Sequence, residues 1–227
     1  MSNKVVNYIR TRSARTLQEQ QERYIHNTVL IYIKDKLPAN FDLGMVITKL
    51  EETIPVSLIS QIDSVYIGQF DEINGRNLES IYKDGAIYIT NEQLSEYLMY
   101  ESIVHELAHA LEELYKFDIY LDDSIEREFL GKRKKLFDIL RAEDYNISIE
   151  PFLKIGYSKE FDEFLYKKIG YSTLTTLTMG LFVSPYGATS MREYFANGFE
   201  EYYTGNPESL RKISPQLYTK IYNLVEE

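Results

Sequence analysis

Two of the three histidines in this chain fall four residues apart, with a carboxylate directly after the first, in the run His105-Glu106-Leu107-Ala108-His109. This spacing constrains the fold because it calls for a helix. There, positions four apart lie roughly 40° apart around the axis and about 6 Å apart along it, so both imidazoles can reach one ion. Glu106 then points to a neighbouring face, where it can take a proton from a water whose pKa a bound zinc lowers to about 7. The surrounding pattern predicts that helix from about Asn91 to about Phe117, with Tyr97, Ile103, Val104, Leu107, Ala108, Leu111 and Leu114 on its packed side.

At 227 residues, 44% of them hydrophobic and 14% aromatic, the chain can bury a sizeable core as one domain, or as one domain with an appendage. A net charge of -10 and a pI near 5.0 argue against nucleic acid as a partner, since phosphate binding runs on clustered Lys and Arg. Residues 1–36 carry +4 and the remainder -14, and the basic stretch is read as a solvated helix face. Without cysteine there is neither a disulfide nor a thiolate metal site, so ligands must be His, Asp or Glu. The first residues lack a long apolar stretch, and Leu174 to Val183 is too short and too rich in Thr to span a bilayer. A soluble protein without a secretory signal peptide is expected, either cytoplasmic or exported by an unconventional route.

Residues 16–36 have helical spacing, with Leu17, Tyr24, Val29, Leu30 and Ile33 as the buried stripe, and Pro38 ends the run. An N-terminal helical segment over 1–36 is therefore expected, followed by the main domain over 37–227. Short strands are predicted at Ser64 to Phe70 and Gly85 to Thr90. Ser124 to about Ala142 reads as a charged amphipathic helix with Phe129, Leu136, Phe137 and Leu140 inward. A helix at about Lys159 to Lys168 stops at Gly170. Ser190 to about Tyr203 is another, closed by Gly205, and Asn206-Pro207 reads as the cap and first position of a last helical region interrupted near Pro215. Ile155-Gly156-Tyr157-Ser158 and Ile169-Gly170-Tyr171-Ser172 repeat at a spacing of 14, too few copies for a solenoid. Together these elements predict a mostly helical α+β fold with a small sheet upstream of the histidine helix.

Two histidines leave a tetrahedral zinc short of a ligand, which must be a carboxylate or His26. Glu112 lies on the histidine face but about 10 Å along the axis from His105, so it suits support of an imidazole N–H or plain solvation. Glu128, 19 residues after His109, sits at the start of an acidic helix where the dipole alone favours carboxylates. Glu193 has capping-box spacing from Ser190, so closing a helix N-terminus competes with ligation. Residue chemistry leaves Glu128 and Glu193 open.

His105-Glu106-Leu107-Ala108-His109-Ala110-Leu111-Glu112, then Tyr186 seven residues before Glu193, then Glu193-Tyr194-Phe195-Ala196-Asn197-Gly198-Phe199, together resemble the catalytic domain of anthrax lethal factor and the related clostridial Pro-Pro endopeptidases. The likeness extends weakly to Gly85–Thr90 and to Pro215-Gln216-Leu217-Tyr218, covering roughly residues 40–227. It implies a zincin-like fold in which His105, His109 and Glu193 bind zinc and Glu106 is the general base. It also implies that Tyr186 donates to the developing oxyanion or assists the leaving amine, a role that suits a neutral phenol. Phe195 and Phe199, at helical spacing, belong to the core. The chain departs from the family twice. Asn197 stands where the family usually has an acid, and the stretch between His109 and Tyr186 is much longer, with an insertion around residues 145–182. The expected activity is zinc-dependent hydrolysis of peptide bonds in a protein or peptide substrate added along the strand near Ala86 to Thr90. The rival expectations are a catalytically silent zincin-fold binding or structural module, and an exopeptidase using Glu128.

Overall fold

The structure, a computed structural model, describes residues 21–74 and 78–226. Its fold is α+β, with one mixed five-stranded sheet and many helices. The sheet consists of β1 (Glu22–Ile25), β2 (Val29–Ile33), β3 (Ser64–Ile67), β4 (Ser80–Lys83) and β5 (Ala86–Ile89), in the order β1-β2-β3-β5-β4. β2, β3 and β5 run parallel, while β1 and β4 flank them antiparallel. Ile31, Val65 and Ile87 stand in register and are fully buried. On the alternate positions Tyr32, Tyr66 and Tyr88 line up, with ring centroids 6.2 Å and 5.3 Å apart. Period-two alternation thus yields an apolar ladder and an aromatic one.

Two expectations change here. Residues 22–25 and 29–33 form a hairpin instead of a helix. His26 and Asn27 take positive φ in its turn, and burial of Ile25, Val29 and Ile31 follows the strand period. Pairing of β2 with β3 satisfies its backbone and overrides the weaker helical reading of Tyr24, Val29, Leu30 and Ile33. Residues 16–20, and with them Leu17, lie outside the described residues. Secondly, β5 is not an edge. The Asp84-Gly85 turn, with φ of 50° and 81°, is a two-residue hairpin connection that folds Ser80–Lys83 back on β5, so the outermost strands among the described residues are β1 and β4.

The principal helices are α1 (Leu43–Thr53), α2 (Glu96–Leu114), α3 (Ser124–Ala142), α4 (Lys159–Glu163), α5 (Tyr171–Leu177), α6 (Met191–Thr204), α7 (Pro207–Ile213) and α8 (Pro215–Glu226). Contacts divide the chain inside α2, into Met1–Leu107, which carries the sheet, and Ala108–Glu227, which is helical. In the first unit Asp42 caps α1 through the Gly44 N–H, and Val46 and Leu50 are buried. In the second, α3 buries Phe129, Leu136 and Leu140, α6 buries Phe195 and Phe199, and α8 buries Leu217 and Ile221. Ser190 accepts from the Glu193 N–H, and Asn206 accepts from the Glu208 and Ser209 amides, so both predicted caps are formed. Along α2, Met99, Ile103, Leu107 and Leu111 are fully buried, whereas Tyr97 and Leu114, expected on the packed side, are about half exposed. They sit at the two ends of the helix, where the apolar stripe runs past the material that covers it.

Candidate metal centre

His105 and His109 project from one turn of α2, and Glu193 lies in the first turn of α6. Each offers one ligand atom, and the three atoms lie within 4.8 Å of one another. His109 Nε2 is 3.6 Å from Glu193 Oε1. Tetrahedral zinc, with bonds of 2.0–2.2 Å, holds its donors about 3.3–3.6 Å apart; the His109–Glu193 pair meets that spacing, and two imidazoles with a carboxylate are a donor set whose chemistry suits such an ion. His109 is buried, and His105 and Glu193 are partly exposed.

Around His109 the outer contacts are polar. Arg192 Nε donates to Nδ1 at 3.1 Å, and Glu112 Oε2 lies 3.9 Å from Nδ1 and 3.6 Å from Arg192 Nε. Arg192 as donor needs an unprotonated Nδ1. Were His109 to ligate through Nε2, its proton would sit on Nδ1, with the Glu112 carboxylate beside it as the acceptor and Arg192 paired to Glu112. Glu112 is held by the Tyr120 hydroxyl at 2.6 Å, and burial, then the nearby Glu112 charge, raises the Tyr120 phenol far above its ordinary pKa. The supporting role anticipated for Glu112 thus has a geometry. Arg192 was not singled out by sequence, although its position next to Glu193 offered a signal.

Glu106 is buried, and both its oxygens are engaged. Oε1 accepts from Ser80 Oγ and Oε2 from the Tyr82 N–H, each at 2.7 Å. Both donors belong to the edge strand β4. A carboxylate oxygen accepts more than one hydrogen bond, so the arrangement orients Glu106 while leaving lone pairs for a proton. Ser80 went unnoticed in the sequence because β4 did; the Asp-Gly dipeptide after it was the available clue.

The remaining candidates separate clearly. Glu128 accepts from the Tyr194 hydroxyl at 2.8 Å and from the Gln216 and Leu217 amides at 2.9 and 3.2 Å, so it caps α8. It is not in the ligand group. His26 sits in the β1–β2 turn, its N–H donating to Glu51 Oε1 at 2.6 Å, and it too is outside the group. Asn197 donates from Nδ2 to the Glu193 carbonyl at 2.8 Å and accepts from Ser184 Oγ, which ties it to the turn before α6 instead of to a ligand imidazole. Tyr186 opens a short 3-10 turn, Tyr186–Ala188, closed by the Thr189 N–H and hydroxyl donating to the Tyr186 carbonyl at 3.0 and 2.8 Å. This turn leads through the Ser190 cap directly into α6, which makes the Tyr186 to Glu193 interval a rigid one. Comparison with family models, curated proteins and solved structures finds no match to the chain.

Proposed function

We propose that the protein is a zinc-dependent metalloendopeptidase, a hydrolase of the zincin type resembling the catalytic domain of anthrax lethal factor and the Pro-Pro endopeptidases. The observation that carries the reading is the group of His105, His109 and Glu193 donor atoms within 4.8 Å of one another, with Glu106 on the same helix. Bound there, zinc would polarise the scissile carbonyl and acidify the attacking water. Glu106, steered by Ser80 and the Tyr82 N–H, removes the water's proton and returns it to the leaving nitrogen. The Tyr186 phenol donates to the oxygen on which negative charge develops. Glu112, accepting from Nδ1–H and itself paired with Arg192, would hold the His109 ring in its ligating orientation. An extended protein or peptide substrate would lie along β4, an edge strand among the described residues, whose Ser80 and Tyr82 also touch Glu106. Among the described residues no helix is long and apolar enough to cross a membrane, and the acidic balance speaks for a polypeptide partner over nucleic acid.

The test compares zinc content and cleavage of a peptide library by the wild type and Glu106→Gln. Bound zinc in both, with cleavage lost by on the order of 1,000-fold or more in the variant, is expected from removal of the general base. Equal turnover in the two proteins rules out the proposed role of Glu106. Zinc binding without any cleavage by the wild type would favour the catalytically silent zincin-fold module.

A further inference from the structure

The stretch separating His109 from Tyr186 is fastened to both ends of the Tyr186 to Glu193 interval. The Met191 N–H donates to the Ile155 carbonyl at 2.8 Å, which joins the backbone two residues before Tyr157 to the backbone two residues before Glu193. Buried Arg133 donates from Nη1 to the Thr189 carbonyl at 3.2 Å and from Nη2 to the Pro151 carbonyl. One guanidinium therefore holds the turn after Tyr186 and the 3-10 turn Glu150–Leu153 together.

Asp162, in α4, accepts a hydrogen bond from the Tyr157 hydroxyl at Oδ2 and one from the Tyr171 hydroxyl at Oδ1, each 2.9 Å long. These are the two tyrosines of the repeated Ile-Gly-Tyr-Ser words, so a repeat with no evident purpose in the sequence places two phenols on one carboxylate. The Tyr171 ring in turn meets the Tyr186 ring edge-on, with centroids 6.5 Å apart and planes at 68°. Partial burial, then the hydrogen bond to Asp162, pushes the Tyr157 hydroxyl up to about 12.

We propose that Asp162 is a positioning residue that, by clasping Tyr157 and Tyr171, fixes the Tyr186 ring and makes the inserted segment a wall of the active site. This rests on the peptidase reading for its kinetic consequence but not for its structural one. A carboxylate accepting from two phenols satisfies both hydroxyls at once and leaves Tyr171 one orientation against Tyr186.

The experiment measures amide hydrogen exchange at Gly187, Ala188 and Thr189, zinc content, kcat and KM in Asp162→Ala, Asp162→Asn and Tyr171→Phe. In Asp162→Ala those amides should exchange about three- to tenfold faster, with zinc retained. kcat should fall by about tenfold or more while KM moves less than about twofold. Asp162→Asn, which can accept from one phenol and donate to the other, should restore most of both. Tyr171→Phe keeps the ring and loses the bond, and should shift exchange in the same direction by less. Wild-type exchange at the three amides in both Asp162→Ala and Tyr171→Phe overturns the proposal. Faster exchange in a protein whose wild type cleaves nothing supports the clasp and removes only the peptidase reading.

Discussion

Glu128 and Glu193 are both carboxylates near helix starts, both within one helical unit, and their roles are set by what faces them. Glu128 meets three donors from the protein and is spent on capping α8. Glu193 has its own amide capped by Ser190 and presents its carboxylate to His109 Nε2 at 3.6 Å. Removing the two should therefore separate metal from stability. Glu193→Ala is expected to weaken zinc binding by on the order of 100-fold or more in a chelator competition, with little change in metal-free unfolding. Glu128→Ala should keep zinc affinity and lose about 1–2 kcal/mol in denaturant unfolding, since it orphans the Tyr194 hydroxyl and two helix amides. Zinc loss in Glu128→Ala but not in Glu193→Ala would reverse the assignment and revive the exopeptidase alternative.

At the scale of elements, α6 and α8 approach closely at Gly198, where a Cβ would lie 2.3 Å from Leu217 Cδ2, 2.8 Å from Leu217 Cγ and 3.4 Å from Ile221 Cδ1. Leu217 and Ile221 are fully buried and have little room to yield. Two effects oppose one another in Gly198→Ala: helix propensity gains about 1 kcal/mol, and overpacking costs about 1–3 kcal/mol. With contacts this short the overpacking should win, for a net loss of about 1–2 kcal/mol read from the urea midpoint; a stabilised variant would show that the helices can part. The helices from Glu96 onward were for the most part legible because their signals are local, whereas Leu43–Thr53 was not anticipated. Ser190, Asn206-Pro207, Gly170 and Gly205 punctuate the chain where the structure starts and stops helices, and Ser124–Ala142 matches its predicted span. The strands at 22–33 and at 80–83 were not legible, because their backbone partners lie up to 34 residues away, as in Leu30 with Ser64, or across the Asp84-Gly85 turn.

For the whole molecule, stability should respond to pH through groups buried at their polar ends. Lys132 donates from Nζ to the Leu181 and Ile213 carbonyls at 2.7 Å and to Ser214 Oγ at 2.8 Å, linking α3 to two distant segments of its unit. Burial nevertheless lowers it to about 8. The unfolded chain keeps that proton to about pH 10.4, so between pH 8 and 10 it binds more protons than the native state, and the contribution of Lys132 rises with pH. The gap in unfolding free energy between wild type and Lys132→Met should widen from pH 8 to pH 10; a constant gap would contradict the depressed value. Tyr120 and Tyr194 act oppositely. Burial raises both phenols, so the stability they contribute is complete below pH 10 and is lost above it.

By itself the sequence determined several of the helices, the caps at Ser190 and Asn206, and the sharing of one helix face by His105 and His109, because 3.6-residue periodicity and capping act over a few neighbouring residues. Only the tertiary structure decided which carboxylate stands beside the imidazoles, which described strands lie outermost in the sheet, and that two repeated tyrosines share Asp162. Each of those depends on groups brought together from separate parts of the chain, and a hydrogen bond or ligand distance exists only once packing has set both of its ends.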